Sequence, residues 1–388
     1  MMAGMETLGR RLRLGMVGGG RDAFIGGVHR IAARIDDRYE LVAGALSSSP
    51  EKAKASGADL LLAEDRAYGS YEEMAAAEAG RDDGIDAVAI VTPNHAHFGP
   101  AKAFLDAGIH VICDKPLTTT LEDAEALQAA VASSGLVFGL THNYTGYPLV
   151  RHAREMVAAG ELGRIRVIQA EYPQDWLSTR LEDDGVKQAE WRTDPSRSGP
   201  AGSVGDIGNH AYNLARFITG LELDEIAADL HTFVDGRALD DNAHMMLRFA
   251  GGAKGMLWSS QVAPGNENAL RIRIYGEKGG LTWDQENPNL LTHSPLGEAP
   301  RILRRGGPGL GAAAEHASRI PPGHPEGYLE GFATLYSDLA DQISARIVGG
   351  DADPLAMTVP TVADGVDGVR FITRAVESSR AGGGWLRF

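Results

Sequence analysis

The chain has 388 residues, 43% apolar and 23% charged, a length that favours two domains and a balance that lets each bury a core. Lys and Arg number 37 against 52 Asp and Glu, a formal net charge of −15; that field repels phosphate backbones and anionic membranes, and no basic patch offsets it, so neither nucleic acid nor membrane is an expected partner. The single cysteine, Cys113, excludes an internal disulfide and fits a reducing compartment. No run nears the roughly 18 apolar residues of a membrane span, and Arg10-Arg11 leads into Leu12-Arg13-Leu14-Gly15, too short and charged for a signal segment. The expected location is the cytoplasm.

In chain order, the first half alternates strand-like runs with helical stretches. Leu12 to Val17 reads as a strand, Gly18-Gly19-Gly20 as a turn and Phe24 to Ile35 as a helix. A second strand, Leu41 to Leu46, ends at Ser47-Ser48-Ser49-Pro50, and Pro50-Glu51-Lys52 starts a helix. Ala87 to Val91 breaks at Thr92-Pro93-Asn94; a helix from Ala96 to Ala107 and a strand from His110 to Cys113 follow. Thr119 to Ser134 is helical and Val137 to Leu140 is the last strand of the series. Such alternation predicts a doubly wound parallel sheet.

Beyond Asn143 longer strand-like runs appear: Ile165 to Glu171, His244 to Phe249, Gly255 to Gln261 and Leu270 to Tyr275. Glycine turns separate them, which predicts a mainly antiparallel sheet with flanking helices. Gly297 to Pro325 reads as irregular, and helical periodicity returns at Tyr328 to Ile347 and Thr361 to Ser379. The expected division is a nucleotide-binding domain over 12–143 and an α+β domain over 144–388.

Gly18, Gly20 and Ala23 spell G-x-G-x-x-A between the first strand and the first helix. Glycines there permit a tight turn, and the helix N-terminus offers unpaired N–H groups to a pyrophosphate, so the segment reads as a dinucleotide cradle. An acid at the end of the second strand would select NAD through the ribose hydroxyls. Ser47 and Ser48 stand there instead, with Lys52 a turn later, and hydroxyls plus a cation suit the 2′-phosphate of NADP.

Four segments in order carry a family resemblance: the glycine turn, Thr92-Pro93-Asn94-His95-Ala96-His97, Asp114-Lys115-Pro116 and Gly205-Asp206-Ile207-Gly208-Asn209-His210. With the domain plan, the chain resembles the Gfo/Idh/MocA oxidoreductases, relatives of glucose–fructose oxidoreductase and inositol dehydrogenase. The resemblance implies a Rossmann domain followed by an α+β domain whose large, mainly antiparallel open sheet often forms the oligomer interface, hence a homodimer or homotetramer. It implies NAD(P)-dependent hydride transfer between a secondary alcohol and a ketone on a sugar, sugar derivative or cyclitol. A redox-neutral elimination or hydrolysis with a retained cofactor, and a cofactor-sensing protein without catalysis, are the alternatives. Asp114 stands where the family usually has a glutamate, with the lysine kept.

Lys115 follows a strand and so lies at the carboxyl edge of the sheet, where a lysine of lowered pKa can take a hydroxyl proton. Asp206 and His210 are four apart in a helical pattern and share one face; the resemblance makes Asp206 the substrate holder and His210 a proton-transfer residue or a partner of Lys115. These three form the expected catalytic set. The expected cofactor contacts are Gly18, Gly20, Ala23, Phe24, Ile25, Ser47, Ser48, Lys52, Thr92, Pro93, Asn94, His97, Asp114, Lys115 and Asn143, joined by Trp191 and Arg192, which the resemblance has reaching from the second domain. The expected substrate contacts are Lys115, Tyr144, Gln174, Trp176, Asp206, His210 and His324. His95 and His97 lack a third ligand at suitable spacing, so no metal is expected.

Overall fold

The computed structural model describes residues 8–388. In chain order they form β1 (Leu12–Gly18), α1 (Phe24–Ile35), β2 (Tyr39–Ala45), α2 (Pro50–Asp59), α3 (Tyr71–Ala79), β3 (Ala87–Val91), α4 (Phe98–Asp106), β4 (His110–Cys113), α5 (Leu121–Ser134) and β5 (Phe138–Leu140). There follow α6 (Pro148–Ala158), β6 (Ile165–Pro173), α7 (Lys187–Arg192), α8 (Asn209–Thr219), β7 (Leu223–His231), β8 (Asn242–Phe249), β9 (Lys254–Ser260), β10 (Arg271–Gly276), β11 (Gly279–Asp284), β12 (Leu290–Pro295) and β13 (Arg301–Arg304). The chain ends with α9 (Ala312–Ala317), α10 (Tyr328–Val348), α11 (Val362–Arg380) and β14 (Leu386–Arg387).

Two compact units result. The first holds the chain up to Thr118, Glu122–Gly146 and Tyr328–Val366; the second holds Thr119–Leu121, Tyr147–Gly327 and Asp367–Phe388. Where the sequence reading gave everything after residue 143 to the second domain, the structure groups α10 with the first. The reason is packing. Phe332, Leu335, Tyr336, Leu339 and Ile343 of α10 join Leu12, Leu14 and Met16 of β1 and Val28 of α1 in one buried cluster. Burial of each such large side chain stabilises by roughly 1.5–3 kcal/mol.

The first unit is a five-stranded parallel sheet in the order β2-β1-β3-β4-β5. β3 and β4 are buried along their whole length, which explains their unbroken apolar runs: strands covered on both faces need no polar alternation. The order reverses beside β1, so the crevice at the carboxyl ends of β1 and β3 is the switch point at which such sheets bind ligands.

The second unit is a nine-stranded sheet in the order β13-β12-β11-β10-β6-β9-β8-β7-β14. Every neighbouring pair is antiparallel except β6 with β9. Along β6, β8, β9 and β10 the residues alternate between a buried face and an outer face on which Val167, Met246, Met256 and Tyr275 are exposed. The fold class expected from sequence is thus the fold observed. β13 lies inside the stretch read as irregular; its sequence RILR is an exposed edge strand, with no apolar periodicity to announce it.

Candidate active site

Each strand of the parallel sheet ends at the same edge, and the turn after each one carries residues expected at the site. After β1, Gly18 and Gly19 have φ of 78° and 70°, values that glycine adopts without strain. A Cβ at Gly19 would lie 2.8 Å from Val91 Cγ2 and 2.9 Å from the Cα of Gly26, and one at Gly20 would lie 2.5 Å from the Leu46 carbonyl oxygen. The turn therefore seats directly on the first turn of α1 with no side chain between. Gly26 on α1 supplies the partner of that close approach, and Ala23 donates its N–H to Gly20 O at 3.2 Å. Phe24 is 68% exposed at the start of α1, with Ile25 beside it.

After β2, Ser49 caps α2 by accepting from the Lys52 backbone N–H at 3.4 Å, and Ser47 Oγ accepts from Ser49 N at 3.2 Å. Ser48 and Lys52 are exposed, so their polar groups meet solvent at the strand end. After β3, Thr92 donates to the Ala96 carbonyl at 2.9 Å and closes a 3-10 turn over Asn94–Ala96; α4 therefore starts at Phe98, two residues later than expected. Asn94 is buried and Pro93 half-buried.

His97 is fully buried, with Nδ1 2.8 Å from Pro116 O and Nε2 2.9 Å from Thr92 O. Both ring nitrogens face backbone carbonyls, so His97, expected at the cofactor, braces two strand-end loops. Burial pushes its pKa below the ordinary range. His95 is exposed, and among the described residues no group of three His, Cys, Asp or Glu is placed to hold a metal ion.

After β4, Asp114 Oδ1 accepts from the Lys115 backbone N–H at 2.9 Å and from Thr141 Oγ1 at 3.0 Å, which ties the Lys115 loop to the end of β5. The Lys115–Pro116 peptide is cis. His142, next along from Thr141, is buried and its pKa is pushed down to about 3, first by burial and then by the positive charge of Lys115. Lys115 thus stands in a polar corner whose histidine is neutral. Asn143 and Tyr144 open a buried 3-10 turn, and Asn143 Nδ2 is buried with no hydrogen-bond partner among the described residues. A buried donor without an acceptor is costly unless a ligand supplies one. Together with the side-chain-free cradle at Gly18–Gly20, it fits a nicotinamide dinucleotide lying along this edge.

In the second unit, Asp206 sits in a wide π-helical turn, Val204–Gly208, that runs into α8, where His210 is the second residue. Widened turns of this kind recur at functional sites. Asp206 Oδ2 accepts from Gln261 Nε2 at 2.9 Å and from Arg192 Nε at 3.2 Å. Arg192 also lies over the Trp191 ring, 4.2 Å from its centroid, and donates to Gln188. Arg192, of the pair expected at the cofactor, pairs here with the Asp206 carboxylate, and Trp191 Nε1 donates to Gln188 Oε1 at 3.3 Å.

Tyr172 and His210 have ring centroids 6.3 Å apart. Tyr172 OH and Gln174 Nε2 both donate to Asn268 Oδ1, at 2.6 and 2.7 Å, while Trp176 Nε1 donates to Gln174 Oε1 at 3.0 Å. A carboxylate, an imidazole, two amides and aromatic faces make a set that can pair hydroxyl groups and cover a ring. His324 stands on an exposed turn, with Nδ1 3.3 Å from Pro321 O and its own carbonyl accepting from Arg305. Gln261 and Asn268 were not singled out from the sequence: Gln261 follows Ser259 and Ser260 and Asn268 lies in a polar turn, so neither stands out from its neighbours.

Two family models match the chain: "Oxidoreductase family, NAD-binding Rossmann fold" over residues 12–142 and "GFO/IDH/MocA C-terminal domain" over residues 150–282. An uncharacterised oxidoreductase of Bacillus subtilis, YfiI, is 35% identical over the full length of both chains. Among solved structures, an oxidoreductase from Sinorhizobium meliloti is 56% identical, with a TM-score of 0.88 and coverage of 97% of this chain and 99% of that one. An inositol dehydrogenase homologue from Azotobacter vinelandii is similar in its NAD+ complex (37% identity, TM-score 0.93) and in its complex with NADH and myo-inositol (36%, 0.90), each covering 98% of both chains. With both units matched and the glycine cradle, the Lys115 loop and the Asp206–His210 helix in place, the chain belongs to the Gfo/Idh/MocA family of NAD(P)-dependent oxidoreductases.

Proposed function

We propose that the protein interconverts a secondary hydroxyl and a ketone on a sugar, sugar derivative or cyclitol. The observation that carries this reading is the Asp206 cluster: a carboxylate held by Gln261 and Arg192, with His210 on the same helical segment and the Tyr172–Asn268–Gln174 network built on the end of β6. Every hydroxyl of a polyol both donates and accepts, and this cluster offers each role. The myo-inositol bound by the Azotobacter vinelandii homologue supports the cyclitol end of the range. When bound, the nicotinamide supplies the hydride acceptor. Lys115 and His210 handle the hydroxyl proton as the ketone forms, and Asp206 orients the ring.

For the cofactor, Ser47, Ser48 and Lys52 at the end of β2 favour NADP, since no carboxylate stands at Ser47 to meet a ribose 2′-hydroxyl. We place the enzyme in the cytoplasm as a homodimer or homotetramer. The exposed outer face of the nine-stranded sheet, with Val167, Met246, Met256 and Tyr275, supports assembly through that face. Light scattering at micromolar concentration checks this, and a monomer would overturn it.

The first experiment titrates NAD, NADP, NADH and NADPH against tryptophan fluorescence. Micromolar binding is expected, tighter for the phosphorylated pair, with Lys52→Ala narrowing the difference. Absence of binding by all four would remove the oxidoreductase reading for this chain. The preferred cofactor is then used to screen myo-inositol first and aldoses next, following reduced nicotinamide by absorbance. Product without net change in reduced cofactor would instead favour the redox-neutral reaction.

A further inference from the structure

We propose that Asp240 is a positioning residue for Asp206 and His210, clamping the start of the helical segment from which both project; this rests on the assignment of that pair to the substrate. One residue collects three successive backbone N–H groups. Gly202 N donates to Asp240 Oδ1 at 2.7 Å, Val204 N donates to Oδ2 at 3.0 Å, and Ser203 N donates to the Asp240 carbonyl at 2.8 Å. The first N–H groups of a helical segment have no partner within it, and a carboxylate answers both the vacant donors and the positive end of the dipole. This cap comes from outside the helix, 38 residues along the chain.

The clamp has no slack. A Cβ on Gly202 would lie 2.2 Å from the Asp240 carbonyl oxygen, so only glycine brings residue 202 this close. The Gly202 carbonyl in turn accepts from the Asp206 backbone N–H at 2.9 Å, which carries the constraint to the site. The second hold on Asp206 starts from the neighbouring residue: the Asp241 carbonyl accepts from Gln261 N at 2.8 Å, and Gln261 Nε2 reaches Asp206 Oδ2. Asp241 is itself fixed, its carboxylate accepting from Phe233 N at 2.9 Å and Val234 N at 3.0 Å and pairing with Arg237 at 3.3 Å. The backbone path and the side-chain path to the Asp206 carboxylate therefore both begin at the 240–241 dipeptide. Asp240 is buried, and burial raises its pKa to about 6; a carboxylate kept in so unfavourable a place is matched to the donors it serves.

The test compares the wild type with Asp240→Ala, Asp240→Asn and Gly202→Ala. Amide hydrogen exchange over residues 202–210 needs no substrate, and cofactor affinity from fluorescence reads the first unit independently. For Asp240→Ala we expect exchange at 202–206 at least tenfold faster, kcat/KM for the polyol at least tenfold lower with KM raised, and cofactor Kd within twofold of wild type. Asp240→Asn, which keeps one oxygen acceptor, should recover part of the loss, and Gly202→Ala should reproduce it. Ser378→Ala, which removes a hydroxyl capping Ala228 N on β7, serves as a destabilised control with KM unchanged. If Asp240→Ala does not fold, Asp240→Asn carries the same comparison. Unchanged exchange at 202–206, or unchanged KM and kcat in folded variants, overturns the proposal. A wild-type enzyme that turns over no polyol overturns the substrate reading instead, and the exchange data then decide alone whether Asp240 anchors the segment.

Discussion

Lys115 illustrates what a single side chain contributes here. Its backbone is tied by Asp114 to the end of β5, and its charge helps hold His142 neutral. Replacement by methionine keeps the stem and removes the ammonium group. General base catalysis of this type typically contributes about 10²–10⁴ in rate, so Lys115→Met should lower kcat by that factor. The same variant should raise the pKa of His142 from about 3, since one of the two causes of its depression is gone, and the imidazole resonances in NMR titration report this directly. An unchanged kcat would remove Lys115 from the proton path. At this scale the sequence singles out residues where spacing carries meaning: Lys115, Asp206 and His210, proposed for the proton path and the ring, sit in short motifs. It was unreadable for Gln261 and Asn268, because their hydrogen bonds to Asp206 and Tyr172 span 55 and 96 residues and leave no local pattern. The bracing hydrogen bonds of His97 were not legible either, since both of its nitrogens turn to backbone carbonyls that no motif announces.

The segment between β13 and α10, regular only over α9, shows how a largely irregular stretch is held. Arg305 is buried and donates to the carbonyls of Ile320, Pro321 and His324 and to Asn289 Oδ1, and it pairs with Glu326 at 2.8 Å. Glu326 Oε1 also accepts from the N–H groups of Arg319 and Ile320. One ion pair thus organises the turn that presents His324. Removing one partner of a buried pair costs about 3–5 kcal/mol, more than removing both, because the remaining charge stays buried alone. Arg305→Met should therefore destabilise the second unit by that amount in urea unfolding, and Arg305→Met with Glu326→Gln should recover part of it. Additive losses would show the pair to be uncoupled. The glycines and prolines of 297–325 made the turns of this stretch legible, but not β13 and α9, which lie within it. The brace was not, since it joins residues whose side chains are ordinary surface types in any sequence reading. β7 was missed for a related reason: LDEIAADLH alternates only weakly, and the burial of Leu223, Ile226 and Ala228 is set by neighbouring strands.

For the whole molecule, the alternating strands and helices foretold the parallel sheet, and the long runs after Asn143 foretold the antiparallel one. The return of α10 to the first unit had no such signal, because an amphipathic helix does not state which sheet it covers. That unit holds three buried histidines whose pKa values lie well below the ordinary 6.5: His29 at about 4, His110 at about 4 and His142 at about 3, each mainly through burial. The unfolded chain binds more protons than the folded one between those values and 6.5, so stability rises with pH across that window. Their contribution is complete above about pH 6.5 and is lost progressively as the pH falls toward 4. Each histidine changes stability by at most about 1.4 kcal/mol per pH unit, so the first unit should be roughly 4 kcal/mol less stable at pH 5.5 than at pH 7.5. In the second unit Asp240, raised to about 6, acts with the opposite sign: the folded state holds its proton more tightly, and its contribution grows as the pH falls below 6. Urea unfolding followed by hydrogen exchange in each unit separates the two. His110→Asn, which keeps an acceptor for the Val137 N–H, should remove about a third of the pH dependence of the first unit. A first unit equally stable at both pH values would mean that these imidazoles titrate in the folded state as they do in the unfolded chain, so that burial does not depress their pKa values.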